Sequence, residues 1–225
     1  GSRKSLMASL DQSLVRMGLD YVDVFYSHRY DPETPLEETM QALVDIVRQG
    51  KALYVGLSKY PAGKAEEAYR YLEARDVHCL LYQGRYNLFD RAPEEEGILG
   101  QARAYGVGFI AFSPLAQGLL TSRYLQGVPE DSRMAQGRFL KREVLTEAVL
   151  GKIKALDRVA ADRGQTLAEM SLAWVLKDEL VTSVIIGASS VAQLEDNLKA
   201  LRKVDFSKEE LDRIEAICHT PDGGQ

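Results

Sequence analysis

His28 closes the run Tyr21-Val-Asp-Val-Phe-Tyr-Ser27, which is otherwise apolar, aromatic and β-branched. An imidazole at the end of a buried strand is a candidate for chemistry, because a neutral ring can donate a hydrogen bond to a carbonyl oxygen or pass a proton. Four other polar side chains fall in the same kind of place: Ser58, Gln83, Ser113 and Ser189 each follow a short apolar run. The plain alternative for each is structural: a histidine capping a strand end, or a serine or amide bonding a neighbouring turn.

The elements that must position these residues alternate. Apolar strand-like runs cover 21–29, 52–58, 79–89, 107–115 and 181–189, with helical patterns between them. In the first helix Leu6, Met7, Leu10, Leu14 and Met17 share one face, and Gly18 ends it. Thr34 is expected to cap the next helix, with Pro35 in its first turn and Glu37 completing a capping box. Its buried stripe is Leu36, Met40, Leu43, Val44 and Val47. Further helices are expected at 64–75, 94–106, 145–163, 166–177 and 191–202. A last one begins at Ser207, with Glu210 completing its box. Short apolar strands alternating with helices indicate parallel βα units whose sheet is covered on both faces. Polar residues just beyond the strand C-termini mark the functional face of a (β/α)8 barrel and of a doubly wound sheet alike. No G-x-G-x-x-G turn is present to favour a dinucleotide-binding Rossmann unit.

Composition narrows the field. The 225 residues carry a net charge of −5, which argues against a nucleic-acid-binding surface. No apolar run reaches membrane-spanning length and none reads as a signal peptide. Cys79 and Cys218 are far apart and read as reduced thiols. A cytoplasmic location, with no membrane and no nucleic acid among the partners, is expected. Asp23 and Asp31 have no carboxylate partner at a strand end, which argues against an unrelated barrel hydrolase with paired catalytic carboxylates.

The segments "LDYVDVFYSHR", "GKALYVGLSKY", "YQGRYNLF", "AFSPLAQGLLTSRYL" and "VIIGASSVAQLEDNL" occur in one order along the whole chain. In that order the sequence resembles the aldo-keto reductase family. Together with "PEDSRM" it is most similar to a bacterial triose-phosphate reductase branch, and the β subunits of voltage-gated potassium channels are near relatives in pattern. The resemblance implies an α/β fold, a (β/α)8 TIM barrel of aldo-keto reductase type, in a single domain over 1–225. It implies NADP(H) as cofactor, a small-molecule carbonyl substrate, no metal and a possible homo-oligomer. The family's catalytic set is Asp, Tyr, Lys and His. His28 matches the His at the end of the fourth strand, where it would orient the substrate carbonyl. The first strand legible here is that fourth one. The barrel is therefore expected to be incomplete, with strands 4 to 8, and strands 1 to 3 with the Asp, Tyr and Lys absent.

The same resemblance assigns cofactor contacts. Ser58 and Gln83 would hold the nicotinamide carboxamide, an amide side chain offering both donor and acceptor. Lys59 stands where the family commonly has Asn. Phe112 would lie against the nicotinamide ring; by composition alone it is a core residue. Ser113, Leu115, Gln117 and Gly118 form a loop whose backbone N–H groups can hold a pyrophosphate, and Arg123 and Arg133 could add positive charge. Gly187, Ser189, Gln193, Asp196 and Asn197 match the adenosine end. There a helix N-terminus favours an anion, with Ser189 and Gln193 facing a 2′-phosphate and Asp196 and Asn197 facing adenine. Ser190-x-x-Gln193 is also a capping box, which would account for Gln193 with no cofactor. Two functions stay open: an NADPH-dependent aldehyde or ketone reductase, and an NADPH-binding regulatory subunit.

Overall fold

The computed structural model describes residues 1–125 and 144–219. These form two compact units. One holds Gly1–Gly84, Ala92–Ile110 and Leu180–Thr182; the other takes its residues from Arg85–Arg91, Ala111–Glu179 and Ser183–Gln225.

In the first unit βα repeats follow the sequence pattern: α1 (Arg3–Met17), β1 (Val22–Ser27), α2 (Leu36–Arg48), β2 (Ala52–Ser58), α3 (Ala62–Glu73) and β3 (Cys79–Arg85). The strands β1, β2 and β3 pair in parallel. Leu10 and Leu14 of α1 pack with Ile46 and Ala52, joined by Met7, Val22 and Phe25. Met17, expected on the same stripe, is exposed. Gly18 caps α1 in the left-handed region, φ 66°.

Thr34 does not cap α2. Pro35 occupies that position with no side-chain cap, and the Thr34 hydroxyl donates instead to Asp31 Oδ2 at 2.8 Å. The helix expected at 94–106 is broken into α4 (Ala92–Glu95) and α5 (Ile98–Ala104) by Gly97, whose left-handed φ of 76° a helix interior cannot accommodate.

Strand β4 (Gly108–Phe112) spans the division between units. The second unit continues through short 3₁₀ turns at Ala116–Gly118 and Ser122–Tyr124, then α6 (Glu147–Asp162), α7 (Leu167–Val175), β5 (Ser183–Ile185), α8 (Val191–Leu198) and α9 (Lys208–Cys218). Strand β5 is much shorter than the expected 181–189, because the chain leaves the sheet at Ile186 and exposes Gly187–Ser190 before α8. The five strands lie in the sheet in chain order. Ser207 and Glu210 do form the expected capping box on α9.

Arg163 is the polar centre of the second unit. Its side chain is 1% exposed and ion-paired with Glu210. Its guanidinium donates to Gln165 Oε1 and to the carbonyls of Lys203 and Asp205, and lies 3.6 Å from the Phe206 ring centroid. A buried cation is stable only when satisfied in this way. Burial pushes the Glu210 carboxyl up, but the Ser207 N–H and the Arg163 charge outweigh it and leave its pKa below the usual range.

Candidate functional site

In the first unit the parallel register sets a row of side chains at the strand C-termini. Ser58 pairs with Gln83, and one position earlier Ser27, Leu57 and Tyr82 are aligned across β1, β2 and β3. His28 comes directly after Ser27 and is exposed, Gln83 is half-buried, and Ser58 is 3% exposed. The register thus brings Ser58 and Gln83 together. Lys59, directly after Ser58, sits in the left-handed region at φ 55°, a conformation that Asn accepts more readily than Lys. Behind this row lies a tyrosine cluster. Burial pushes the Tyr82 phenol up to about 12, only partly offset by its bond to the Tyr60 backbone, and burial raises Tyr60 as well. Both phenols are neutral near pH 7. Cys79 is likewise pushed up to about 12 by burial, which makes it an unreactive thiol.

The second unit contains a cleft of about 650 Å3, within the usual size range for a small-molecule site. Phe112, Ser113, Leu115, Gln117, Gly118 and Arg123 line one side, and Gly187, Ser189 and Gln193 line the other. Pro114, Thr121, Tyr124, Ile185, Ile186 and Ala188 complete it. Asp196 and Asn197 are not among its lining residues. Asp196 is exposed and ion-paired with Lys199. Asn197 is 6% exposed, and its Nδ2 meets no acceptor among the described residues. Arg133 lies outside the described residues.

The loop 113–118 is held in an uncommon backbone shape. Ser113, Ala116 and Gln117 have φ of 53°, 46° and 59°, and Gly118 comes next at 101°. Left-handed non-glycine residues cost on the order of 1–3 kcal/mol each and cluster at functional sites. Successive residues of this kind can turn backbone N–H groups toward an anion. Side chains lock the shape: the buried Asn87 donates from Nδ2 to the Ser113 carbonyl at 3.0 Å, and Thr121 Oγ1 donates to the Gly118 carbonyl at 2.7 Å. Neither Asn87 nor Thr121 stands out in the sequence; the only signal is their place inside the "YNLF" and "GLLTSRY" segments.

At the other wall Gln193 Oε1 accepts from the Ser189 N–H at 2.7 Å and the Ser189 hydroxyl at 3.0 Å. The Ser190 hydroxyl accepts from the Gln193 N–H. Half of the capping box is therefore present, and its amide half turns to Ser189, at the mouth of the α8 N-terminus. His78 and His219 are exposed, and no group of three His, Cys, Asp or Glu side chains among the described residues could hold a metal. No helix among the described residues is long and apolar enough to cross a membrane.

Comparison with known proteins gives a consistent answer. The sequence model of the Aldo/keto reductase family matches residues 1–219. L-glyceraldehyde 3-phosphate reductase of Escherichia coli O157:H7 is 51% identical over 99% of this chain, which spans 65% of that protein. A probable voltage-gated potassium channel subunit beta of Oryza sativa subsp. japonica is 38% identical over 97% of this chain and 68% of its own length. Among solved structures, a thermostable aldo-keto reductase, Tm1743, in complex with the inhibitor epalrestat matches with a TM-score of 0.73 and 30% identity. That match covers 96% of this chain and 67% of the other. The chain thus spans about two-thirds of the length of the reductases that it matches.

Proposed function

The chain belongs to the aldo/keto reductase family, and we propose that the protein is a cytoplasmic, NADPH-dependent oxidoreductase that reduces aldehydes and ketones, with small hydroxyaldehydes or glyceraldehyde 3-phosphate-like molecules as substrates. The observation that carries this reading is the cleft, where two segments more than sixty residues apart supply Phe112, Ser113, Gln117, Gly118, Ser189 and Gln193 to one concave surface. Its volume, the left-handed turn at Ala116–Gly118 and the N-terminal end of α8 suit a bound dinucleotide phosphate.

On this reading NADPH supplies the hydride that reduces the carbonyl carbon. Ser58 and Gln83 hold the carboxamide, and the Phe112 ring fixes which face of the nicotinamide is presented. The 113–118 loop takes the pyrophosphate, with Arg123 adding charge, and Gly187, Ser189 and Gln193 take the adenosine end. His28 donates a hydrogen bond to the substrate oxygen and so orients the carbonyl. The acid that protonates that oxygen, with its Asp and Lys partners, is assigned to the part of the relatives that this chain does not span.

A second reading, an NADPH-binding regulatory subunit, is favoured by the 38% identity to a potassium channel β subunit, and the 51% identity to a reductase ranks it second. The two separate in one experiment on the complete protein, titrating NADPH and NADH by fluorescence and then assaying a panel of aldehydes. The reductase reading expects tighter NADPH than NADH binding and turnover of short hydroxyaldehydes. Binding without turnover would favour the regulatory reading, and no binding of either nucleotide would contradict both.

A further inference from the structure

Behind the row that carries Ser58 and Gln83 runs a chain of buried hydroxyls. Ser27 Oγ and Tyr60 Oη share a hydrogen bond of 2.7 Å. The Tyr60 N–H donates to Tyr82 Oη at 3.1 Å, and the Tyr82 hydroxyl donates back to the Tyr60 carbonyl at 2.8 Å. One phenol oxygen thus grips both backbone polar groups of a single residue. Ser27, Tyr60 and Tyr82 are each 3% exposed or less.

The placement of these residues in the chain gives the cluster its meaning. Ser27 directly precedes His28, Tyr82 directly precedes Gln83, and Tyr60 lies two residues beyond Ser58. Successive side chains on a strand point to opposite faces. Ser27 and Tyr82 are aligned in one row, through Leu57, and Ser58 and Gln83 occupy the next. The turn between Ser58 and Tyr60 passes through the left-handed Lys59, a conformation that must be imposed by its surroundings. The Tyr82 grip on Tyr60 imposes it from one side. From the other, the Tyr30 N–H donates to the Lys59 carbonyl, tying the loop after His28 to the same turn. Tyr30 also meets Tyr60 edge-on, with ring centroids 5.7 Å apart.

We propose that Tyr60 is a positioning residue for His28: by bonding Ser27 from a turn that Tyr82 anchors, it fixes where the end of β1 releases the imidazole relative to Ser58. This rests on the reductase reading of His28 and Ser58. A hydroxyl pair buried behind a strand would add stability wherever it lay. Only its attachment next to His28 makes it act on the carbonyl step, where small displacements of a catalytic group cost up to about a hundredfold.

The test uses the complete protein with Tyr60→Phe, Ser27→Ala, the double variant and Ser27→Thr, each read for kcat and NADPH Kd with a short hydroxyaldehyde. The imidazole NMR signal of His28 is tracked in parallel, assigned by its loss in His28→Ala, with the His78 and His219 signals as folding controls. Each single variant is expected to lower kcat about tenfold and to move the His28 signal, with NADPH affinity unchanged. The double variant is expected to lose no more than either single one, and Ser27→Thr to restore both readouts. If the double loss is the product of the single losses, or if the His28 signal stays in place in both single variants, the inference is overturned. If His28→Ala leaves kcat unchanged, the reductase reading of His28 fails by itself, and the NMR signal still decides whether Tyr60 positions the ring.

Discussion

The two units hold their candidate residues by opposite means. In the first, Ser58 and Gln83 are placed by regular parallel pairing, and side-chain hydroxyls behind the strands fix the turns at the strand ends. In the second, Ser113–Gly118 departs from regular structure, with three non-glycine residues in the left-handed region and side chains such as Asn87 and Thr121 holding them there. A rim built on strands inherits its precision from the ladder. A loop that must present backbone N–H groups has to store strain, and it draws stability from elsewhere in its unit.

The largest expected effect removes the second unit's support. Arg163→Ala leaves Glu210 without its buried ion-pair partner and the Asp205 carbonyl without its Arg163 donor, while the Lys203 carbonyl keeps its bond from the Gln165 amide. A loss of about 3–5 kcal/mol is expected, read by urea denaturation of the complete protein. A loss below about 1 kcal/mol, in the range of an exposed pair, would mean the strained cleft draws its stability from other contacts.

A smaller effect tests the regularity of the first unit. A Cβ on Gly84 would lie 2.6 Å from Cζ of Phe109, a ring that is fully buried and stacked on Tyr82. Gly84→Ala should cost about 1–3 kcal/mol through overpacking, measured by the same denaturation. A neutral result would show that the rim's sheet yields more readily than its pairing suggests.

The smallest effect has the opposite sign. Ala116→Gly removes the left-handed penalty of about 1–2 kcal/mol and adds backbone entropy costing about 0.5–1 kcal/mol. A net gain of roughly half a kcal/mol is expected, together with weaker NADPH binding from a loosened loop. A gain in stability with unchanged affinity would mean that the loop's shape is not part of the cofactor site.

The same contrast decides what could be read in advance. Strand β2 appears where the apolar run "ALYVGLS" predicts it, and parallel βα order is dictated by alternation alone. The Ser207 box on α9 is legible because cap chemistry is local. Thr34 misleads because Asp31, three residues earlier, competes for its hydroxyl. Gly97 sits inside a good helical pattern, and only its left-handed φ reveals the break. The cleft's lining residues fall within segments that carry the family resemblance, but their convergence on one concave surface is seen only in the structure. Ala116 and Gln117 carry no signal for the left-handed region, so the strain in that loop is invisible until the backbone is seen. Tyr60 and Tyr82 read as ordinary core aromatics, because a hydroxyl's partner across two strands depends on register, which the sequence does not spell out.

The most direct test of the central claim is the split between binding and chemistry on replacing His28 in the complete protein. If His28 orients the carbonyl, His28→Ala should lower kcat/KM for a short hydroxyaldehyde by about a hundredfold or more while NADPH Kd stays within about twofold of its original value. Unchanged kcat/KM, or a loss that arises entirely from weakened NADPH binding, would contradict the account.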